Sequence, residues 1–119
     1  DWKDYTVSAN ITFELVKSGG LAARVQGLER YYALEMSSNN KLRLVKMLDG
    51  LNILKEIDLD LEFQKEYKLS LKVKKNNLQG YLDKKLFLEF NDIDSPLNCG
   101  GIGFVVESGT QFTDEIIVS

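Results

Sequence analysis

Five side chains in the first half of the chain are of the types a sugar site uses: Arg24, Gln26, Tyr31, Glu35 and Arg43. A saccharide offers hydroxyls around its rim and C–H groups on its ring faces. Planar, bidentate donors and acceptors beside an aromatic ring suit both. Arg24 and Gln26 share one parity within LAARVQ, and Tyr31 and Glu35 share one within YYALEMS. A short turn at Ser38–Asn40 would set Glu35 opposite Arg43 as a cross-strand ion pair. The five are therefore expected together on the polar face of neighbouring strands. Charged residues on a solvated sheet face also pair with one another and bind nothing, and the residues alone leave both readings open.

A second set is acidic. Period-2 alternation in EIDLDLE puts Glu56, Asp58, Asp60 and Glu62 on one strand face, as paired-carboxylate glycoside hydrolysis would need. Glu56 and Asp60 would stand about 13 Å apart at about 3.3 Å per residue, and few loops are long enough to wall a cleft. A solvated acidic face is the expectation, and no catalytic residue is assigned. Asp92 and Asp94 could offer oxygens to calcium, a hard cation that wants several. Two acids do not complete such a shell, so turn chemistry accounts for them and neither metal nor cofactor is expected. The chain has no histidine, which removes the commonest general base and metal ligand and every Ser-His or Cys-His arrangement. The one cysteine, Cys99, excludes an internal disulfide and has no basic neighbour in sequence to activate it. Gly100-Gly101-Ile102-Gly103 lacks the lysine and helix of a phosphate loop.

The elements that must carry these residues read as strands throughout. Leu69, Leu71 and Val73 alternate with polar residues, as do Leu78, Gly80 and Leu82, and then Leu86, Leu88 and Phe90. Asn76-Asn77 and Asp83-Lys84-Lys85 separate these runs, predicting an antiparallel meander over 66–90. Upstream, Tyr5, Val7, Ala9, Ile11 and Phe13 alternate, and Ser18-Gly19-Gly20 punctuates that strand. Tyr32, Leu34 and Met36 are expected inward. Asp49-Gly50 is a hairpin signal between 41–48 and 51–62, the latter with Ile53, Ile57, Leu59 and Leu61 in phase. A loop from Asn91 to Gly101 holds the only proline, and strands over 102–107 and 116–118 close the chain. Trp2 is expected as a lid on the core, and Tyr31 and Tyr81 as exposed rings. No stretch keeps a 3.6-residue period, so the fold class is all-β, a sandwich or barrel of short antiparallel strands.

At 119 residues the chain is one domain, 1–119, with enough length for a core of its own. The net charge of −3 argues against a nucleic-acid or anionic-membrane partner, and no apolar run nears the roughly 20 residues of a span. The chain opens on DWKDYTVSANITFEL, without initiator Met or signal-peptide pattern, so a piece of a longer protein is expected. Its compartment is left open.

Read end to end, WKDYTVSANITFE, GGLAARVQ, YYALEMS, the KLRLVKML/LNILKEI pair, EYKLSLKVKKNNLQGYLDKKLFLEF, GGIGFVVESG and FTDEIIVS resemble the concanavalin A-like lectin/glucanase jelly roll. Within it the chain is similar to family 66 carbohydrate-binding modules and to the 3-keto-disaccharide hydrolase-like accessory domains. It also resembles the C-terminal domains of some ADP-ribosylglycohydrolases. The resemblance implies a two-sheet antiparallel β-sandwich, a non-catalytic carbohydrate-binding module and a parent catalytic domain as partner. It also implies a role for Arg24, since an arginine follows the Gly-Gly strand in that family. Two departures are Asp83-Lys84, where relatives carry Asp-Gly, and FTDEIIV, where they carry Phe-Asp-Asn. The second means that no metal site follows from that ending. Two further readings stand beside the binding module: a structural domain packed on its parent, and a glycoside hydrolase using Glu56–Glu62.

Overall fold

A computed structural model describes residues 3–12, 19–27, 29–37, 39–62, 64–94, 96–106 and 117–119. Trp2, Phe13 and the ending around Phe112 to Asp114 lie outside them. Among the described residues every regular element is a strand, in chain order β1 (Tyr5–Thr12), β2 (Gly19–Gly27), β3 (Arg30–Ser37), β4 (Lys41–Leu48) and β5 (Leu51–Asp58). Then follow β6 (Glu66–Lys74), β7 (Asn77–Leu82), β8 (Lys85–Asn91), β9 (Gly101–Val106) and β10 (Ile117–Val118). They form two antiparallel five-stranded sheets, ordered β10-β1-β6-β7-β8 and β5-β4-β3-β2-β9. The expected two-sheet sandwich of jelly-roll type is the fold.

Alternation decides what lies between the sheets. Tyr5, Val7, Ala9 and Ile11 of β1 and Tyr67, Leu69, Leu71 and Val73 of β6 are all buried, while their neighbours face outward. Leu21, Tyr32, Leu34, Met36, Leu42 and Leu44 answer from the second sheet. A fully buried side chain of this size stabilises by about 1.5–3 kcal/mol, so this layer dominates the favourable side of folding.

The alternation breaks at bulges, and there the sequence expectations shift. In β8 Gly80 pairs with Leu88 but Tyr81 pairs with Leu86, so Phe87 is the extra residue. Phe87 turns onto the core and Leu86, expected inward, is 43% exposed. In β5 Leu44 pairs with Lys55 and Val45 with Ile53, which makes Leu54 the extra residue. Leu54 packs on the core and Ile53 points out, 48% exposed. Gly19-Gly20, expected to end the first strand, instead begins β2. A Cβ on Gly20 would stand 1.9 Å from the Leu34 carbonyl oxygen, so only glycine lets β2 lie this close to β3.

Two hairpins also differ in detail. The left-handed residue between β6 and β7 is Lys75, with φ 52°, and Asn77 is already in the strand. Between β7 and β8 both Asp83 and Lys84 are left-handed, φ 48° and 71°, the signature of a two-residue type I′ turn.

Candidate functional site

The outer face of the second sheet brings three of the five expected residues together. Glu35 pairs in register with Arg43, and Arg43 Nε donates to Glu35 Oε1 at 3.0 Å. The register continues from Arg43 to Glu56 on β5 and from Gly20 to Glu35 on β2, so one row crosses four strands. Four residues along, about 13 Å away at about 3.3 Å per residue, Tyr31 pairs with the row of Met47 and Leu51. Between these rows run Ala22, Ala33 and Val45, paired across β2, β3 and β4. All three are at most 2% exposed yet stand outside the inter-sheet core. These small side chains are covered, and they separate a charged row on one side from an aromatic row on the other.

The electrostatics of this face are coupled. Tyr31 is half-buried, and burial raises its phenol pKa, with Glu35 on the same face raising it further. Arg43 uses only its Nε among the described hydrogen bonds, so its terminal N–H groups still point from a fixed guanidinium. Glu35 is 7% exposed. A carboxylate held by this single Nε–H bond keeps its other oxygen to accept from a ligand hydroxyl while the guanidinium's terminal N–H groups donate.

Arg24 does not share the face. Its backbone is left-handed, φ 50°, at a register shift in β2, so the alternation of LAARVQ stops there and the side chain is 1% exposed. Its guanidinium donates to the Lys3 carbonyl from Nε at 2.9 Å and from Nη2 at 2.8 Å. Nη1 donates to the Leu97 carbonyl at 3.0 Å and to the Lys75 carbonyl, and Nη2 meets Asp4 Oδ1 at 3.4 Å. Asp4 in turn accepts from Lys75 N at 2.9 Å. Arg24 thus ties the start of β1, the left-handed turn at Lys75 and the loop before β9 into one corner. Tyr5 completes it: its hydroxyl accepts from Arg24 N at 2.6 Å and donates to the Gly101 carbonyl at 3.1 Å. Burial raises the Tyr5 pKa. Gln26 is exposed, and its Nε2 donates to the Cys99 carbonyl at 2.9 Å.

The acidic strand ends early. Only Glu56 and Asp58 belong to β5, while Asp60 and Glu62 fall in the connection to β6. Both strand acids meet Lys41, at 4.0 and 2.7 Å, and Glu62 meets Lys65 at 3.4 Å. The four acids do not line one strand face. Asp92, weighed for calcium, is 3% exposed and lies 2.8 Å from the Lys46 ammonium. The Tyr32 hydroxyl donates to Asp92 Oδ2 at 2.6 Å and accepts from Leu97 N at 2.9 Å. Burial, then the bond to Asp92, pushes the Tyr32 phenol far up. Asp94 is exposed, and its carbonyl accepts from Lys46 Nζ at 2.6 Å. Tyr81, expected as an exposed ring, is half-buried and donates to Gln79 Oε1 at 2.9 Å.

Two features went unread in the sequence though their signals are there. Lys46 sits in phase with Leu42, Leu44 and Leu48, which marks it as inward and in need of a carboxylate. The covered strip between the two outer rows is written as Ala22 and Ala33, alanines at the positions that alternate with core residues.

The sequence profile described as galactocerebrosidase, C-terminal lectin domain, matches residues 1–114. No curated protein sequence matches the chain. Among solved structures it is similar to carbohydrate-binding module CBM66 from Bacillus subtilis, with TM-score 0.73, 17% identity, and 98% of this chain and 72% of that one covered. It is also similar to sheep galectin-11 in complex with glycerol, with TM-score 0.73, 12% identity, and coverage of 100% and 92%. For chicken galectin 2 the values are 0.72, 12%, 100% and 93%. At such identities the likeness is one of fold, a lectin-like jelly roll.

Proposed function

Because the chain belongs to the galactocerebrosidase C-terminal lectin domain family, we propose that it is a non-catalytic, carbohydrate-binding accessory module of a glycoside- or ADP-ribose-processing enzyme. The sugar meets the outer face of the second sheet beside Tyr31 and the Glu35–Arg43 pair. The observation that carries this reading is the Glu35–Arg43 pair at 3.0 Å, standing on the same face as Tyr31. Tyr31 offers a ring to the C–H face of a pyranose, Arg43 donates to ring hydroxyls and Glu35 accepts from them. No metal takes part in this reading. The non-catalytic part of the reading is supported by the acid pairs: Glu56 and Asp58 face Lys41 rather than each other as a paired acid and nucleophile. Among the described residues no helix is long and apolar enough to cross a membrane.

The test is a glycan array probed with the folded domain and with Arg43→Ala and Arg43→Lys. Binding should weaken at least tenfold, about 1.4 kcal/mol, in both, because lysine keeps the charge but not the planar fork. A silent array from a folded protein overturns the reading. It would favour a structural module docked on its parent, for which one observation speaks. Leu51 and Ile53, 51% and 48% exposed, lie side by side on the outer face of edge strand β5.

A further inference from the structure

Along one side of the sandwich, edge strand β5 of one sheet and edge strand β8 of the other approach without pairing. A cleft of about 420 Å³ opens there, separate from the outer face of the second sheet. That volume falls within the roughly 300–1,000 Å³ of small-molecule sites. Its floor is the Lys46–Asp92 ion pair, the two residues 5% and 3% exposed. A buried ion pair is poor as a stability device, since apolar residues of similar volume often serve as well or better. Its place at the base of an open cleft supplies a different reason for it.

We propose that this cleft is a second binding site, for one neutral, polyhydroxylated ring of monosaccharide size. The lining selects that chemistry. Leu48, Leu54 and Phe90 form the apolar part, suited to the C–H face of a ring. Asn52 and the Asp94 carboxylate stand at the polar part, above the floor pair. Asn52 Nδ2 is committed to the Lys46 and Gly50 carbonyls, at 3.4 and 3.3 Å, which leaves its Oδ1 as the atom to accept from a ligand. The Asp94 carboxylate enters no ion pair among the described residues. With one lysine against two aspartates, the charged lining is acceptor-rich and net negative, so it favours hydroxyl donors and repels anions. The ring hydroxyls of a free polyol and of a glycan terminus are the same chemistry here.

The experiment is an amide and side-chain-amide NMR titration with methyl β-D-galactopyranoside, methyl α-D-glucopyranoside, myo-inositol and glycerol. Saturable shifts are expected at the Asn52 side chain and at the Asp92 and Asp94 amides, with millimolar affinity. They should survive in Arg43→Ala, which disables the outer face, and those at the Asp92 and Asp94 amides should vanish in Asn52→Trp. That change places a bulky ring at the mouth of the cleft from an exposed strand position without touching the floor pair. Preference for the methyl glycosides assigns a glycan terminus and preference for inositol a free cyclic polyol, and either upholds the site; a response to glycerol as strong as to the rings overturns it. Shifts that persist in Asn52→Trp, or no saturable shift at these three residues with any of the four probes, overturn it. Failure of the outer-face reading shows separately, at Tyr31, Glu35 and Arg43.

Discussion

At the residue scale Arg24 is the most informative position. The alternation of LAARVQ places it on the polar face, and alternation cannot register a bulge. A left-handed φ at one residue, invisible in composition, turns the side chain into the corner where β1, the Lys75 turn and the loop before β9 meet. Arg24→Ala would leave the Lys3 and Leu97 carbonyls without their donor, and should destabilise by about 3–5 kcal/mol in urea unfolding. Arg24→Lys should recover little, because one ammonium cannot reach acceptors spread across three segments. Loss of sugar binding in Arg24→Ala would therefore report on folding, which is why Arg43 is the better probe of the face. Lys84 is the opposite case, a residue whose type disagrees with its turn. It holds φ 71°, a conformation glycine adopts without strain, and Lys84→Gly should raise stability by about 0.5–1 kcal/mol by removing that strain. An unchanged urea midpoint would show that the turn already accommodates lysine.

At the element scale the strands and most of their faces were legible, because period 2 and turn chemistry are local properties. β1, β3 and β6 bury the residues their alternation names, and the Glu35–Arg43 pairing follows from the length of one turn. What could not be read are the bulges in β5 and β8, since an extra residue changes no pattern until the partner strand is in place. The glycines show the same limit. Gly20 reads as punctuation and Gly80 as an ordinary inward position, yet they answer to different neighbours. A Cβ on Gly20 would meet backbone, the Leu34 oxygen at 1.9 Å, whereas on Gly80 it would meet the tip of the Leu34 side chain at 2.7 Å. A side-chain tip can turn away and a carbonyl in a sheet ladder cannot. Gly80→Ala should thus cost about 1 kcal/mol, and Gly20→Ala about 3 kcal/mol or more, by parting β2 from β3 beneath the Glu35 row. Denaturation midpoints rank the two, and equal costs would mean the sheet yields where these contacts say it is rigid.

At the scale of the whole molecule, the perturbed titrations fall mainly on one side of neutrality. Burial raises the phenols of Tyr5, Tyr31 and Tyr32, and Tyr32 is raised further by its bond to Asp92. Asp58 raises Lys41, an exposed group, in the same direction. Among the described residues only Glu89 moves the other way, lowered by hydrogen bonds from Asn77 and Gln79, and it too is exposed. A tyrosine in the unfolded chain ionises near pH 10. Above that pH the unfolded state has released protons that the folded state keeps, so unfolding free energy falls as pH rises. The stability tied to these phenols is complete below about pH 10 and is lost as pH climbs toward their folded values. Glu89 acts in the reverse sense, its contribution present above the ordinary glutamate range and lost as pH falls through its lowered value. The domain should therefore keep a flat urea midpoint from about pH 6 to 9 and weaken steeply above about pH 10. Phenolate absorbance should show the buried tyrosines ionising only as the chain unfolds. Tyr32→Phe isolates the largest contributor. It should begin less stable, since Asp92 loses a donor at 2.6 Å, yet lose less on going to high pH. Parallel curves for Tyr32→Phe and the parent would place the alkaline weakness elsewhere, and would separate the Tyr32–Asp92–Lys46 network from the stability of the sandwich.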